Sequence, residues 1–209
     1  MRLTKIFQVF GLIVLFQLPL LMVGQTEDQE NVIFNAILGG AFNLVVQDGD
    51  VQTATFNTAD DYNFGVSETL GTPGIDPGYT TIGMESTGNW LLEISAPDFT
   101  PVTGSGVITI DNVGVWCEAT GVHQFGTEVT CAYQSADAAL GLSTADVTLI
   151  DLGTGNAGDA TDNLFVLHWL MGTMQGSMNP QSMFAQLSAG VFTMGEYTTT
   201  IVLTMTEIP

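Results

Sequence analysis

The chain has 209 residues and a formal net charge of −20, with 22 acidic side chains against two basic ones, Arg2 and Lys5. No lysine or arginine occurs after residue 5, which excludes nucleic-acid binding, because capturing a phosphate backbone needs cations that displace its counterions. An anionic lipid surface is disfavoured for the same reason. Charged residues are only 11% of the chain and apolar ones 45%, so bases are missing rather than acids abundant, and the composition is that of a folded chain.

Arg2 and Lys5 precede an apolar run from Ile6 to Val23, and Gly24 then gives way to the polar Gln25–Asn31. This is the pattern of a secretory signal peptide over residues 1–24. The same run, at about 18 residues, is also long enough to span a bilayer as an uncleaved anchor. Residues 25–209 are then expected to be a single secreted domain, extracellular or held at the cell surface, with contact to the membrane only through the leader.

From there on, apolar residues alternate, and clusters of Gly, Pro, Asn, Asp and Ser interrupt them about every ten residues, the rhythm of an all-β chain. The reading predicts an antiparallel β-sandwich with Greek-key-like connections and one or two short helical turns. In chain order the predicted strands are Val32–Leu38, Phe42–Val46, Val51–Phe56, Tyr79–Met84, Trp90–Ala96, Gly106–Asp111, Val113–Glu118, Glu128–Tyr133, Asp146–Leu152, Leu164–Met171 and Tyr197–Glu207. Gly71–Gly78 reads as a turn-rich loop. Trp90, Leu92, Ile94 and Ala96 share one face of their strand, and Tyr197, Ile201, Leu203 and Met205 share one face of theirs, so both faces are candidate core. The predicted helical turns are Ser135–Leu142 and Pro180–Leu187, each bounded by glycine or proline.

Cys117 and Cys131 are the two cysteines. An even count in an oxidising compartment reads as a disulfide, here joining two neighbouring strands. The acidic loop Asp151–Asn163 places Asp151, Asn156, Asp159 and Asp162 in a glycine-rich turn region, a candidate Ca²⁺ site by its oxygen ligands, although the spacing is not that of an EF-hand. His123 and His168 have no partners at metal or triad spacing, and neither a Gly-x-Ser-x-Gly elbow nor a His-Glu-x-x-His motif occurs. A hydrolase is therefore the least supported class, and the expectation is a protein without enzymatic activity.

The ending Tyr197-Thr-Thr-Thr-Ile-Val-Leu-Thr-Met-Thr-Glu-Ile-Pro209 resembles the closing motif of WxL-type bacterial surface domains, and Gly88-Asn89-Trp90-Leu91-Leu92 resembles their first motif. Leu203 stands where the second motif carries tryptophan, and Glu85-Ser86-Thr87 stands where an Arg-Gly element often precedes the first. The resemblance implies a cell-surface protein bound non-covalently to the bacterial envelope, often through peptidoglycan. Trp90, Leu92, Tyr197, Leu203 and Pro209 are then the motif residues, serving either envelope binding or the core. Gly195-Glu196-Tyr197-Thr198 equally resembles the ending of sandwich-type pilins. That points to the alternative, a filament or pilus subunit whose partners are copies of itself, with residues 25–38 exchanged as a strand.

Overall fold

Burial follows the predicted alternation most closely at Trp90, Leu92, Ile94 and Ala96, all at most 2% exposed, while Leu91, Glu93 and Ser95 between them are half-buried. A computed structural model supplies the coordinates and describes residues 41–67 and 78–208. The predicted leader, the predicted strand Val32–Leu38, most of the Gly71–Gly78 loop and Pro209 lie outside the described residues.

The elements in chain order are β1 (Phe42–Asp48), α1 (Ala59–Phe64), β2 (Val66–Ser67), β3 (Tyr79–Ser86), β4 (Asn89–Ser95), β5 (Thr100–Pro101), β6 (Val113–Ala119), β7 (Val129–Thr130), β8 (Leu140–Gly141), β9 (Val147–Leu152), β10 (Gly158–Met171), α2 (Met183–Ser188), β11 (Tyr197–Thr198) and β12 (Val202–Ile208). One sheet runs β1-β3-β10-β6-β8, with β2 also on β10; the second runs β12-β4-β9-β7; β5 and β11 form a small ribbon. The strand pairs are antiparallel. From β3 to β4, and again from β9 to β10, the chain leaves one sheet for the other, so strands adjacent in a sheet are distant in sequence. The all-β expectation holds.

The two sheets bury their inner faces against each other. Ile82, Met84, Val115, Phe165 and Leu167 from the first meet Trp90, Leu92, Ile94, Ile150 and Met205 from the second in one core. Phe165 lies at its centre, edge-on to Trp90 at 6.1 Å and stacked with Phe125 at 5.6 Å. With so few cations in the chain, this burial is the main source of stability, at about 25 cal/mol per Å² of apolar surface removed from water.

Several boundaries differ from the sequence reading, each for a local reason. Val51–Phe56 is not a strand. The Gln52 amide donates to Gly49 O and Tyr79 O and accepts from Gly78 N, occupying the groups a partner strand would use. Gly106–Asp111 contributes only isolated bridges and then a 3₁₀ turn, Ile110–Asn112. Glu128–Tyr133 shortens to Val129–Thr130. The closing strand is broken between Thr198 and Val202, its first part pairing β5 and its second pairing β4.

The predicted turn Ser135–Leu142 is a 3₁₀ turn at Ala136–Ala138 that leads into strand β8. Pro180–Leu187 becomes the helix Met183–Ser188, capped by the Ser182 hydroxyl on Ala185 N. A helix that the sequence reading missed, α1, starts from a capping box in which Thr58 Oγ1 accepts from Asp61 N while the Asp61 carboxylate accepts from Thr58 N. Gly65 ends α1 at φ +78°, and a Cβ there would lie 2.4 Å from Gly172 C, so the chain needs glycine at this crossing.

Candidate functional site

The residues singled out for chemistry are mostly used to hold the fold. Trp90 is 0% exposed. Its indole N–H donates to Asn156 O at 2.8 Å, its backbone N–H donates to Asn156 Oδ1 at 3.0 Å, and Asn156 Nδ2 donates to Trp90 O at 2.8 Å. Trp90 is thus a core anchor pinned by one asparagine, and no face of its ring is open for stacking on a sugar.

Leu92 is equally buried and sits opposite Met205, so the first and last motifs lie on hydrogen-bonded neighbours, β4 and β12. Leu203, opposite Ile94, packs against the core. Tyr197 turns edge-on to Phe192, and its hydroxyl lies 2.7 Å from Ser105 O and 2.8 Å from Thr193 O, closing the loop before β11.

The four oxygen-bearing residues proposed for Ca²⁺ do not converge. Asn156 is 0% exposed and its amide is committed to Trp90, which removes it from any ligand set. Asp151 is exposed and caps its neighbour, Oδ1 accepting from Leu152 N at 2.7 Å. Asp159 Oδ1 accepts from Thr161 Oγ1, Thr161 N and Asp162 N, and the Thr161 hydroxyl, followed by those amides, holds its carboxyl below the ordinary aspartate value. Asp162 Oδ2 accepts from Asp159 N at 3.4 Å. Among the described residues no three His, Cys, Asp or Glu side chains are grouped to hold a metal ion. The loop is built as an Asx-type turn.

Cys117 and Cys131 are both buried and are present as free thiols. They are neighbours: Cys117 N donates to Tyr133 O at 2.7 Å, and the two thiols share a hydrogen bond. Burial pushes the Cys117 thiol well up, whereas the hydrogen bond from Cys117 and the Tyr133 N–H draw Cys131 down.

His123 Nδ1 lies 2.8 Å from Oδ1 of the buried Asn163, tying the β6–β7 loop to β10. His168 belongs to no metal-holding group among the described residues either. It lies on the outer face of β10, stacked on Trp116 with ring centroids 3.8 Å apart and planes 6° from parallel. Its Nε2 is 3.5 Å from Glu118 Oε2, and Tyr79 lies on its other flank at 6.4 Å. Tyr79, His168 and Trp116 are register partners on β3, β10 and β6, so the row exists only through the sheet order. The sole signal available in the sequence was the position of each among alternating strand residues.

No protein-family description matches this chain, and no curated protein matches it.

Proposed function

We propose that this chain is a non-enzymatic structural protein of the bacterial cell surface, secreted through its leader and working in the extracellular space. The observation that carries the reading is the use of its reactive-looking residues: Asn156 pins Trp90, Asp159 shapes a turn, His123 ties a loop and Tyr197 closes another. None of them is left converging on a common point where a substrate would sit. A chain devoted to stiffening one sandwich suits a load-bearing or display role.

The WxL-like version of this reading is supported by the pairing of β4 with β12, which puts the two motifs side by side. Envelope association then runs through the outer surface rather than through Trp90. The filament version is supported by the edge of the first sheet at β1, where apolar side chains stand open to water. Protein sheared from its native cells separates the two. Co-sedimentation with purified peptidoglycan at physiological salt is expected for an envelope-bound module, and filaments by negative-stain electron microscopy for a fibre subunit. A soluble monomer that does neither overturns the surface-structural reading.

A further inference from the structure

We propose that the free edge of β1 is an acceptor site for Val32–Leu38 of a second copy of this chain. The inference rests on the surface-structural reading above. Among the described residues β1 is hydrogen-bonded on one side only, to β3. Phe42, Leu44 and Val46 stand opposite Ser86, Met84 and Ile82, so they point to the core face of the sheet. Met84 and Ile82 are 0% exposed and Leu44 packs against the core, yet Phe42 on one side of it is 53% and Val46 on the other 43% exposed. Core-facing apolar side chains left open to water mark a sandwich one strand short on that side. The edge strand of the other sheet, β12, is covered by contrast, its core-facing Met205 only 9% exposed.

The occupant has to match three properties of this edge. It must be extended, because an open strand edge offers a row of backbone donors and acceptors. It must be about as long as β1, which has seven residues, or about 23 Å at 3.3 Å per residue. It must also carry apolar side chains and no negative charge, because copies of a chain with net charge −20 repel one another. Val32-Ile-Phe-Asn-Ala-Ile-Leu38 is seven residues long and uncharged, and it ends four residues before Phe42. Each copy thus carries one acceptor edge and, immediately upstream in sequence, one donor segment. A segment passed from copy to copy gives a head-to-tail contact, which either closes on itself as a dimer or continues as a chain.

The test uses the secreted protein with its residues 25–38 in place. Ile37→Asp spoils the donor and leaves the acceptor, and Val46→Asp spoils the acceptor and leaves the donor. Wild-type protein is expected to run as dimers or longer assemblies in size exclusion, and each variant alone as a monomer, a loss of at least tenfold in the assembled fraction. Mixed in equal amounts, the two variants are expected to form a one-to-one dimer that grows no further. Phe42→Asp serves as the acceptor variant if Val46→Asp is misfolded by circular dichroism.

Two folded variants that stay monomeric when mixed overturn the proposal. If both variants still assemble as the wild type does, the contact lies elsewhere on the surface; the acceptor proposal then fails while the structural reading stands. A wild type that neither assembles nor binds the envelope sinks both together.

Discussion

Replacing Asn156 tests the claim that this residue, rather than an ion, holds the acidic loop against the core. In Asn156→Ala the Trp90 N–H and C=O lose partners at 3.0 and 2.8 Å, both in a fully buried setting. Each orphaned buried group costs about 1–3 kcal/mol, so the substitution is expected to cost about 4 kcal/mol. That is a large part of the roughly 5–15 kcal/mol that holds a domain together, and it lowers Tm by about 8–16 °C at this chain length.

Asn156→Asp is the sharper variant. It keeps the acceptor for Trp90 N but cannot donate to Trp90 O when ionised, and it buries a carboxylate in a chain with no lysine or arginine after residue 5 to pair with it. Burial raises the folded-state pKa of such an acid above its unfolded value of about 3.9. The aspartate variant is therefore least destabilised below about pH 4 and loses stability as pH rises through the raised folded value. Urea unfolding at pH 4 and pH 7, followed by Trp fluorescence, reads both effects. A loss under about 1 kcal/mol for the alanine variant, or an aspartate variant no worse at pH 7 than at pH 4, refutes the reasoning. If EDTA lowers wild-type stability as much as Asn156→Ala does, a bound cation rather than the asparagine holds the loop.

Three further outcomes are expected. Cys117 and Cys131, free thiols that lie side by side, should close to a disulfide when the purified protein is oxidised and then be inert to iodoacetamide until reduced; reduction should cost about 3 kcal/mol, and alkylation of both thiols after oxidation contradicts this. Asn112 and Gln186 form a reciprocal buried amide pair, Gln186 Nε2 donating to Asn112 Oδ1 at 2.7 Å. Single alanine substitutions should each cost about 2 kcal/mol with a coupling of about 1 kcal/mol in a double-mutant cycle, and strictly additive losses argue against the pair. Asp159, with its folded carboxyl pKa lowered by Thr161, contributes stability above the unfolded aspartate value that is lost as pH falls through the lowered folded one. Thr161→Val should move the Asp159 carboxyl titration, followed by NMR, upward, and an unmoved midpoint shows that the hydroxyl is not the cause.

Which parts of this fold were legible depended on whether the deciding interactions were local. The β4 alternation was readable because its side chains obey the two-residue period of a strand wherever its partners lie. The turn chemistry of the Asp151–Asn163 loop was visible too, but the partner of its asparagine was not. The sequence shows that Asn156 carries oxygen and nitrogen; it does not show that β4 runs past and leaves the Trp90 backbone to be satisfied. Val51–Phe56 was misread for a related reason, since its pattern is strand-like and only the distant Tyr79 and Gly78 draw Gln52 into another arrangement. The α1 capping box lay in plain view at Thr58 and Asp61, but the six residues it starts carry no buried face to mark a helix.

By itself the sequence determined the charge and the all-β class, because these depend on composition and on short-range periodicity. Tertiary structure alone decided that Trp90 is sealed, that His168 stacks outside on Trp116, that Cys117 meets Cys131 side by side, and that Phe42 and Val46 of β1 stay exposed beside a buried Ile82 and Met84. Each of these depends on which strand lies beside which, and a chain that crosses between two sheets brings together residues whose separation in sequence carries no local signal.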